Sequence, residues 1–430
     1  MKRRKFRLKK KFRNAVIGMV VIFVTVMGVA CVNAASNPLG LFNSDTEKEE
    51  VEGADKNREI IVRSGEEDVN DAMMAPIIEY FEVSFNALAD LKSTDITGLF
   101  ADSTDENAQI NQGALDYLIG LRLSQSNDLH INNYLCGLSI TDVSNDDGLI
   151  EVTLEEDHTL NFAFTKEVDS SSSGIEHSFF LEETSAGYVI VAHTKEEDIF
   201  LLIEEAADYY GYSPSMISEL LSEAAPMVME LAGEKETFNE IEADLVASFA
   251  DNPYIAADAV DYAMTWVDSV DVIRNEDEFG VYDGYGGNCN NYISQCLNAG
   301  GIPMDYLGDY DTQWKWYGDT VNEDEDAYGR SPSWAGVEEF YTYASENTGY
   351  GLEAVVGDNV YSGTVGDILQ YANNGEWVHS VIITQVVKDD QENVLDYLIN
   401  SNTTDRINYP ASAYGYAELR LIKIMGWNEE

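Results

Sequence analysis

Basic residues are scarce in this chain. Its 25 Lys and Arg stand against 78 Asp and Glu, for a formal charge of -53. That balance excludes nucleic acid as a partner, because phosphate backbones are held in basic grooves, and anionic lipid or teichoic surfaces would also repel the chain. Cysteine is sparse too, at Cys31, Cys136, Cys289 and Cys296. Three of them follow the N-terminal segment, and an odd count argues against a disulfide framework. Of five histidines, His130, His158, His177 and His193 show no metal-ligand spacing. Asp324, Asp326 and Gly329 faintly resemble a calcium loop, but Ala335 stands where the bidentate glutamate belongs. No metal or other cofactor is therefore expected.

The few basic residues are also unevenly placed. Nine lie between Lys2 and Arg13, ahead of an apolar run from Ala15 to Ala30. This pattern predicts a signal peptide over residues 1–34, with Val32-Asn33-Ala34 fitting the small-residue cleavage rule. A secreted or cell-surface protein is expected. The alternative is an uncleaved anchor, for which the run is somewhat short, and membrane contact is expected only in that case. Removal of the segment leaves 16 basic residues against 78 acidic ones, read as the solvated surface of an exported protein.

Length predicts two or three domains. Residues 35–72 are polar and charged with few aromatics, which predicts a flexible linker. Over 73–198 the spacing of Ile77, Tyr80, Phe81, Phe85 and Leu88 predicts one helix, and that of Leu115, Leu118, Ile119 and Arg122 another. Strand-like runs follow at 135–140, 149–154, 160–164, 178–181 and 188–191. The expectation is an α+β domain with a five-stranded antiparallel sheet. Residues 199–250 read as a helical connector, interrupted at Ser213-Pro214 and at Pro226.

Chemistry concentrates in residues 251–430. The stretch Gly286-Gly287-Asn288-Cys289-Asn290-Asn291-Tyr292-Ile293-Ser294-Gln295 places a thiol where a glycine-rich loop becomes a helix. Cys289, Tyr292, Ile293, Cys296 and Leu297 share one face, with Asn288 as N-cap and Gly300-Gly301 as the stop. First-turn N–H groups and the helix dipole favour thiolate over thiol and could hold an oxyanion. A cysteine nucleophile needs a base, and this half contains one histidine, His379, inside the strand-like run from Trp377 to Val387. A hairpin centred between Asp390 and Gln391 sets His379 opposite Asn402, which could orient the imidazole; a slipped register substitutes Asn400 or Ser401. Cys296, two turns further along the helix, is read as core. The Asp305 to Arg330 segment, with Trp314, Trp316 and Tyr317, either covers the cleft or contributes aromatics to the core.

Several separated segments carry a resemblance. They are Tyr254 with Ala259-Val260, Tyr262-Ala263 and Trp266; the segment around Cys289; Gly300-Gly301-Ile302-Pro303-Met304; Ser333-Trp334; Gly366-Asp367-Ile368-Leu369-Gln370-Tyr371; Trp377-Val378-His379-Ser380; and Thr404-Asp405-Arg406. Together they are similar to the putative amidase domain family of secreted bacterial proteins, over roughly residues 252 to 430. The resemblance implies a papain-like cysteine hydrolase domain acting on amide bonds, with Cys289 and His379 matching nucleophile and base. The family usually has aspartate where Asn288 stands, threonine at Asn290, an Asn-Arg pair at Ile255-Ala256, and often histidine at the position of Asn402. Cell-wall stem peptides or other extracellular peptides are the expected substrates. A transamidase, a catalytically silent surface-binding protein and an acidic cation-sequestering protein remain as alternatives.

Overall fold

One long sheet organises the computed structural model, which describes residues 57–64, 69–213, 215–240, 249–283, 287–306, 315–318, 329–373 and 375–430. The expected signal segment, the linker up to residue 56, Pro214, Gly286, Trp314 and the Asp324/Asp326 pair lie outside the described residues.

In the N-terminal region, β2 (Ile131–Asp146), β3 (Leu149–Phe162), β4 (Ser170–Thr184) and β5 (Gly187–Lys195) form an antiparallel meander. Helices α1 (Asp71–Ala89) and α2 (Glu106–Ser124) begin at side-chain caps: Asn70 accepts from the Ala72 and Met73 N–H groups, and Asp105 from that of Asn107. The predicted apolar stripe of Ile77, Tyr80, Phe81 and Phe85 is buried in one core with Val152, Phe179 and Ile190 from the sheet.

Two expectations change here. The runs at 149–154 and 160–164 are one strand, because the acidic stretch between them is not a turn. Glu156 and Asp157 are buried in β3 with partners: Arg63 Nε and Nη2 donate to Asp157 at 2.6 and 2.7 Å, and Glu156 meets two histidines. Furthermore, part of the expected linker is β1 (Arg58–Ser64), parallel to β2 from the Arg58–Tyr134 pair onward. The Arg63–Asp157 ion pair ties it to the sheet.

Helices α3 (Asp198–Tyr210) and α4 (Met216–Glu240) follow. The chain breaks between them at Gly211, whose φ of 79° a residue with a Cβ adopts poorly. Pro226 lies inside α4 without ending it. Next come α5 (Ala256–Thr265), α6 (Cys289–Ala299), α7 (Pro332–Ala335) and α8 (Val337–Glu346). The remaining strands are β6 (Gly351–Val356), β7 (Ile368–Asn373), β8 (Glu376–Lys388), β9 (Val394–Ser401), β10 (Asp405–Pro410) and β11 (Glu418–Asn428).

The strand order is β1-β2-β3-β4-β10-β9-β8-β7-β11-β6, with β5 paired to β4. The β10–β4 pairing, Asp405 with Ser173 through Ile407 with Ser171, carries the sheet from one region into the other. The fold is mixed α and β, with an antiparallel-dominated sheet and eight α-helices among the described residues. Side chains alternate across a strand. In β8, Val381 and Ile383 join the core that contains α1, whereas Ile382 joins the core around Ile293, Cys296 and Leu297 of α6. Trp316 is fully buried in this second core. Among the described residues no helix is long and apolar enough to cross a membrane.

Candidate active site

Helix α6 starts and stops as its sequence predicts. Asn288 occupies the N-cap position, Gly300 the C-cap, and Gly301 reverses the chain at a φ of 94°. The expected side-chain cap is not made, however. Asn288 Oδ1 instead accepts from the Tyr282 N–H at 3.1 Å and from Asn291 Nδ2 at 2.7 Å, bracing the loop before the helix. The free first-turn donors serve the thiol: Cys289 Sγ lies against its own N–H, that of Asn290 and that of Ser380 on β8.

Why Ser380 is available follows from the sheet. Recorded β8–β9 pairing begins at Ile382 with Asn400, so the two strands part just before Ser380, and the thiol meets its N–H there. That N–H belongs to the peptide unit joining His379 to Ser380. A second link fixes the helix to the strand: the Ser380 hydroxyl donates to Asn290 Oδ1 at 2.8 Å, while Asn290 Nδ2 donates to the carbonyls of Ser333 and Trp334.

His379 stands on the sheet face opposite α6. Its ring stacks on Tyr414 with centroids 5.1 Å apart, and Tyr414 Oη lies 2.8 Å from Nε2. Ser401 and Arg406 also approach that hydroxyl. Nδ1 has no hydrogen-bond partner among the described residues, and no Cys289–imidazole hydrogen bond is formed. Burial, helped by the nearby Arg406 guanidinium, pulls the imidazole down to about 3, so it is neutral near pH 7. Burial likewise pushes the Cys289 thiol up to about 11, against the lowering effect of the Ser380 and Asn290 N–H groups. The helix-start donors expected to favour thiolate are thus present, but desolvation outweighs them. At rest the thiol and the imidazole are both neutral, with no hydrogen bond between them.

The third expected member lies elsewhere. Bulges shift the β8–β9 register, with Ile382 opposite Asn400 and Gln385 opposite Leu398, by one to two residues from the symmetric hairpin. Asn402 is buried, and its Nδ2 donates to the Trp266 carbonyl at 3.4 Å rather than reaching His379. Tyr414 takes the position beside the imidazole. Nothing in the spacing of the sequence pointed to it, since it follows a 3₁₀ turn at Ala411–Ala413, 35 residues beyond His379.

Loops around the site are braced by charge and strain. Arg274, whose side chain is buried, donates to Asp283 at 2.8 Å and to Asp405 at 2.9 Å, tying the segment before α6 to β10. Burial, partly offset by Arg274, raises the Asp405 carboxyl to about 7. Thr403, a β-branched residue at a φ of 96°, accepts the Asn288 N–H through Oγ1 at 2.7 Å. Such a conformation persists only where its surroundings enforce it.

Three of the other histidines do converge, although their spacing gave no sign of it. His193 Nδ1 lies 2.6 Å from Asn111 Oδ1 and its Nε2 2.9 Å from His177 Nδ1. His177 Nε2 lies 2.9 Å from Glu156 Oε2, and His158 Nδ1 2.6 Å from Glu156 Oε1. No group of metal-ligating side chains with the geometry for an ion occurs among the described residues.

Residues 253–425 match the model of the family described as putative amidase domain, which bears out the resemblance read from the sequence over this part of the chain. No curated protein and no solved structure matches the chain. At a coarse level the family match indicates an amide-bond hydrolase.

Proposed function

We propose that the chain is an exported cysteine-dependent amide or peptide hydrolase with a papain-like arrangement, in which a helix carries the nucleophile and an antiparallel strand the base. The observation that carries this reading is the meeting of α6 and β8, where the Ser380 hydroxyl, on the residue after His379, donates to Asn290 Oδ1, on the residue after Cys289, at 2.8 Å. With the Nε2 proton donated to Tyr414 Oη, the Nδ1 lone pair is the base. As Cys289 attacks the substrate carbonyl carbon, its proton passes through the gap where β8 and β9 part to Nδ1 on the other face, and the carbonyl π electrons move onto an oxyanion held by the backbone N–H of Cys289. Collapse breaks the C–N bond, and the imidazolium proton leaves with the amine. Water then cleaves the thioester, restoring the thiol and releasing the acid. An amine in place of water makes the same acyl-enzyme a transamidase.

Cell-wall stem peptides come first as substrate and other extracellular peptides second, on the strength of the expected signal segment and the family match. Incubating the protein with purified peptidoglycan and a peptide panel, with Cys289→Ala as control, and reading products by mass spectrometry tests this. New termini dependent on Cys289 are the expected result. No Cys289-dependent product from any substrate would leave the second reading, a fold kept for binding alone, which the buried and protonated thiol favours.

A further inference from the structure

A cavity of about 100 Å³ lies in the N-terminal region between α1, α2 and the sheet, and extends to β10. At roughly 30 Å³ per water, it has room for about three waters or for a ligand of four to six heavy atoms. Apolar and aromatic side chains, among them Phe85 and Leu118, form much of its wall. Arg122 and Arg406 also line it, each only 4 % exposed.

These two guanidiniums are incompletely used. Arg122 Nη2 donates to Tyr409 Oη at 2.9 Å and to the Ala413 carbonyl at 3.3 Å, but its Nε and Nη1 are buried without a partner. Arg406 Nη1 donates to Ser172 Oγ at 2.7 Å, and its Nε is likewise buried and unpartnered. His158 Nε2, on the same wall, is a third buried nitrogen with no partner. Nor do the cavity's acids neutralise these cations by contact. Glu156 is occupied by His158 and His177, and Glu197 by Lys195 at 3.3 Å and the Phe200 N–H. A buried cation without a paired anion is costly, and a bound anion with acceptor oxygens removes that cost.

From this we infer that the cavity is a binding site for a small monocarboxylate of acetate to amino-acid size, its oxygens received by Arg122 and Arg406. Volume sets the upper size. The apolar wall suits a short aliphatic remainder, and two carboxylates in the lining disfavour a dianion such as phosphate. The lining includes neither Cys289 nor His379, although it shares Tyr414 and Arg406 with the surroundings of His379, so binding is read by calorimetry rather than by turnover.

Calorimetry and thermal unfolding of the full chain with acetate, glycine, methylammonium and inorganic phosphate at matched ionic strength test the inference. Acetate or glycine is expected to bind saturably and raise the unfolding temperature, with methylammonium inert. Arg122→Gln is expected to weaken binding at least tenfold. Ala114→Leu, which fills part of the cavity and leaves both arginines in place, is expected to do the same and keeps the test valid should the arginine variant not fold. Lack of saturable binding by both carboxylates, preference for phosphate, or unchanged affinity in Ala114→Leu would each overturn it.

Discussion

Each region of the molecule buries histidine in a polar setting, and the two settings differ in what is left over. In the N-terminal region, His177 and His193 have both ring nitrogens engaged, and Glu156 has both oxygens engaged. In the C-terminal region, His379 has Tyr414 at Nε2, while Nδ1 has no partner among the described residues, and the peptide unit after it touches a thiol. A fully satisfied buried network rigidifies a core. A half-satisfied imidazole on the strand that meets the nucleophile is able to take a proton. By this criterion His177 and His193 belong to the architecture and His379 to the chemistry, while His158, whose Nε2 has no partner, lines the cavity beside them.

The sharpest break of that comparison is in turnover. Cys289→Ala is expected to lower kcat/KM for amide hydrolysis by about a thousandfold or more, whereas His193→Phe is expected to leave it within about threefold per folded molecule. Steady-state assays on both variants, corrected for folded fraction, check this. Equal losses would erase the distinction between the regions. Alkylation gives an effect of similar size without substrate. With the thiol pushed up to about 11 and the imidazole near 3, neither titrates between pH 7 and pH 10. Iodoacetamide modification of Cys289 should therefore climb about tenfold per pH unit over that range. A plateau near neutrality would instead reveal a resting thiolate–imidazolium pair.

On the N-terminal side the expected effect is on stability. Burial alone would push the Glu156 carboxyl up, but hydrogen bonds from His158 and His177 outweigh it and hold it below its usual range. Its folded value thus lies under the unfolded one, so the stabilisation is complete above about pH 4.5 and is lost as pH falls through the folded value. Glu156→Ala should cost about 3 kcal/mol near neutrality by leaving His158 Nδ1 and His177 Nε2 without a partner. Urea titrations at a series of pH values are expected to show the variant approaching wild type in acid. A gap that is constant with pH would mean that Glu156 acts through packing rather than charge.

Much of this was legible in the sequence, and the failures share a cause. Local signals located α1, α2 and α6, because helix spacing and caps are written in neighbouring residues. Glu155 to His158 read as a break because acids rarely enter a strand interior. Burial of Asp157 rests on Arg63, and that of Glu156 on His177 as well as on neighbouring His158; Arg63 and His177 are far away in sequence. β1 was hidden for the same reason, since its partner strand lies some seventy residues on. At the site, the cysteine and histidine could be named from residue type and scarcity. Asn402 rested on counting through a hairpin, and counting fails where bulges displace the register.

The smallest effects bear on that last point and decide how the base is held. Tyr414→Phe removes the contact to His379 Nε2 while keeping the ring that stacks on it. A single hydrogen bond of about 1 to 1.5 kcal/mol corresponds to about a tenfold loss in kcat/KM, with unfolding little changed. Asn402→Ala deletes an amide whose Nδ2 reaches only the Trp266 carbonyl and whose Oδ1 is buried without a partner. Turnover should then stay within about threefold of wild type, as expected for a residue outside the reacting groups. Should the sizes reverse, with Asn402→Ala costing a hundredfold and Tyr414→Phe nothing, the imidazole must turn during the reaction to the partner that symmetric counting assigned. The neutral pair seen here would then be a closed resting arrangement, with the Tyr414 contact holding the base away from work.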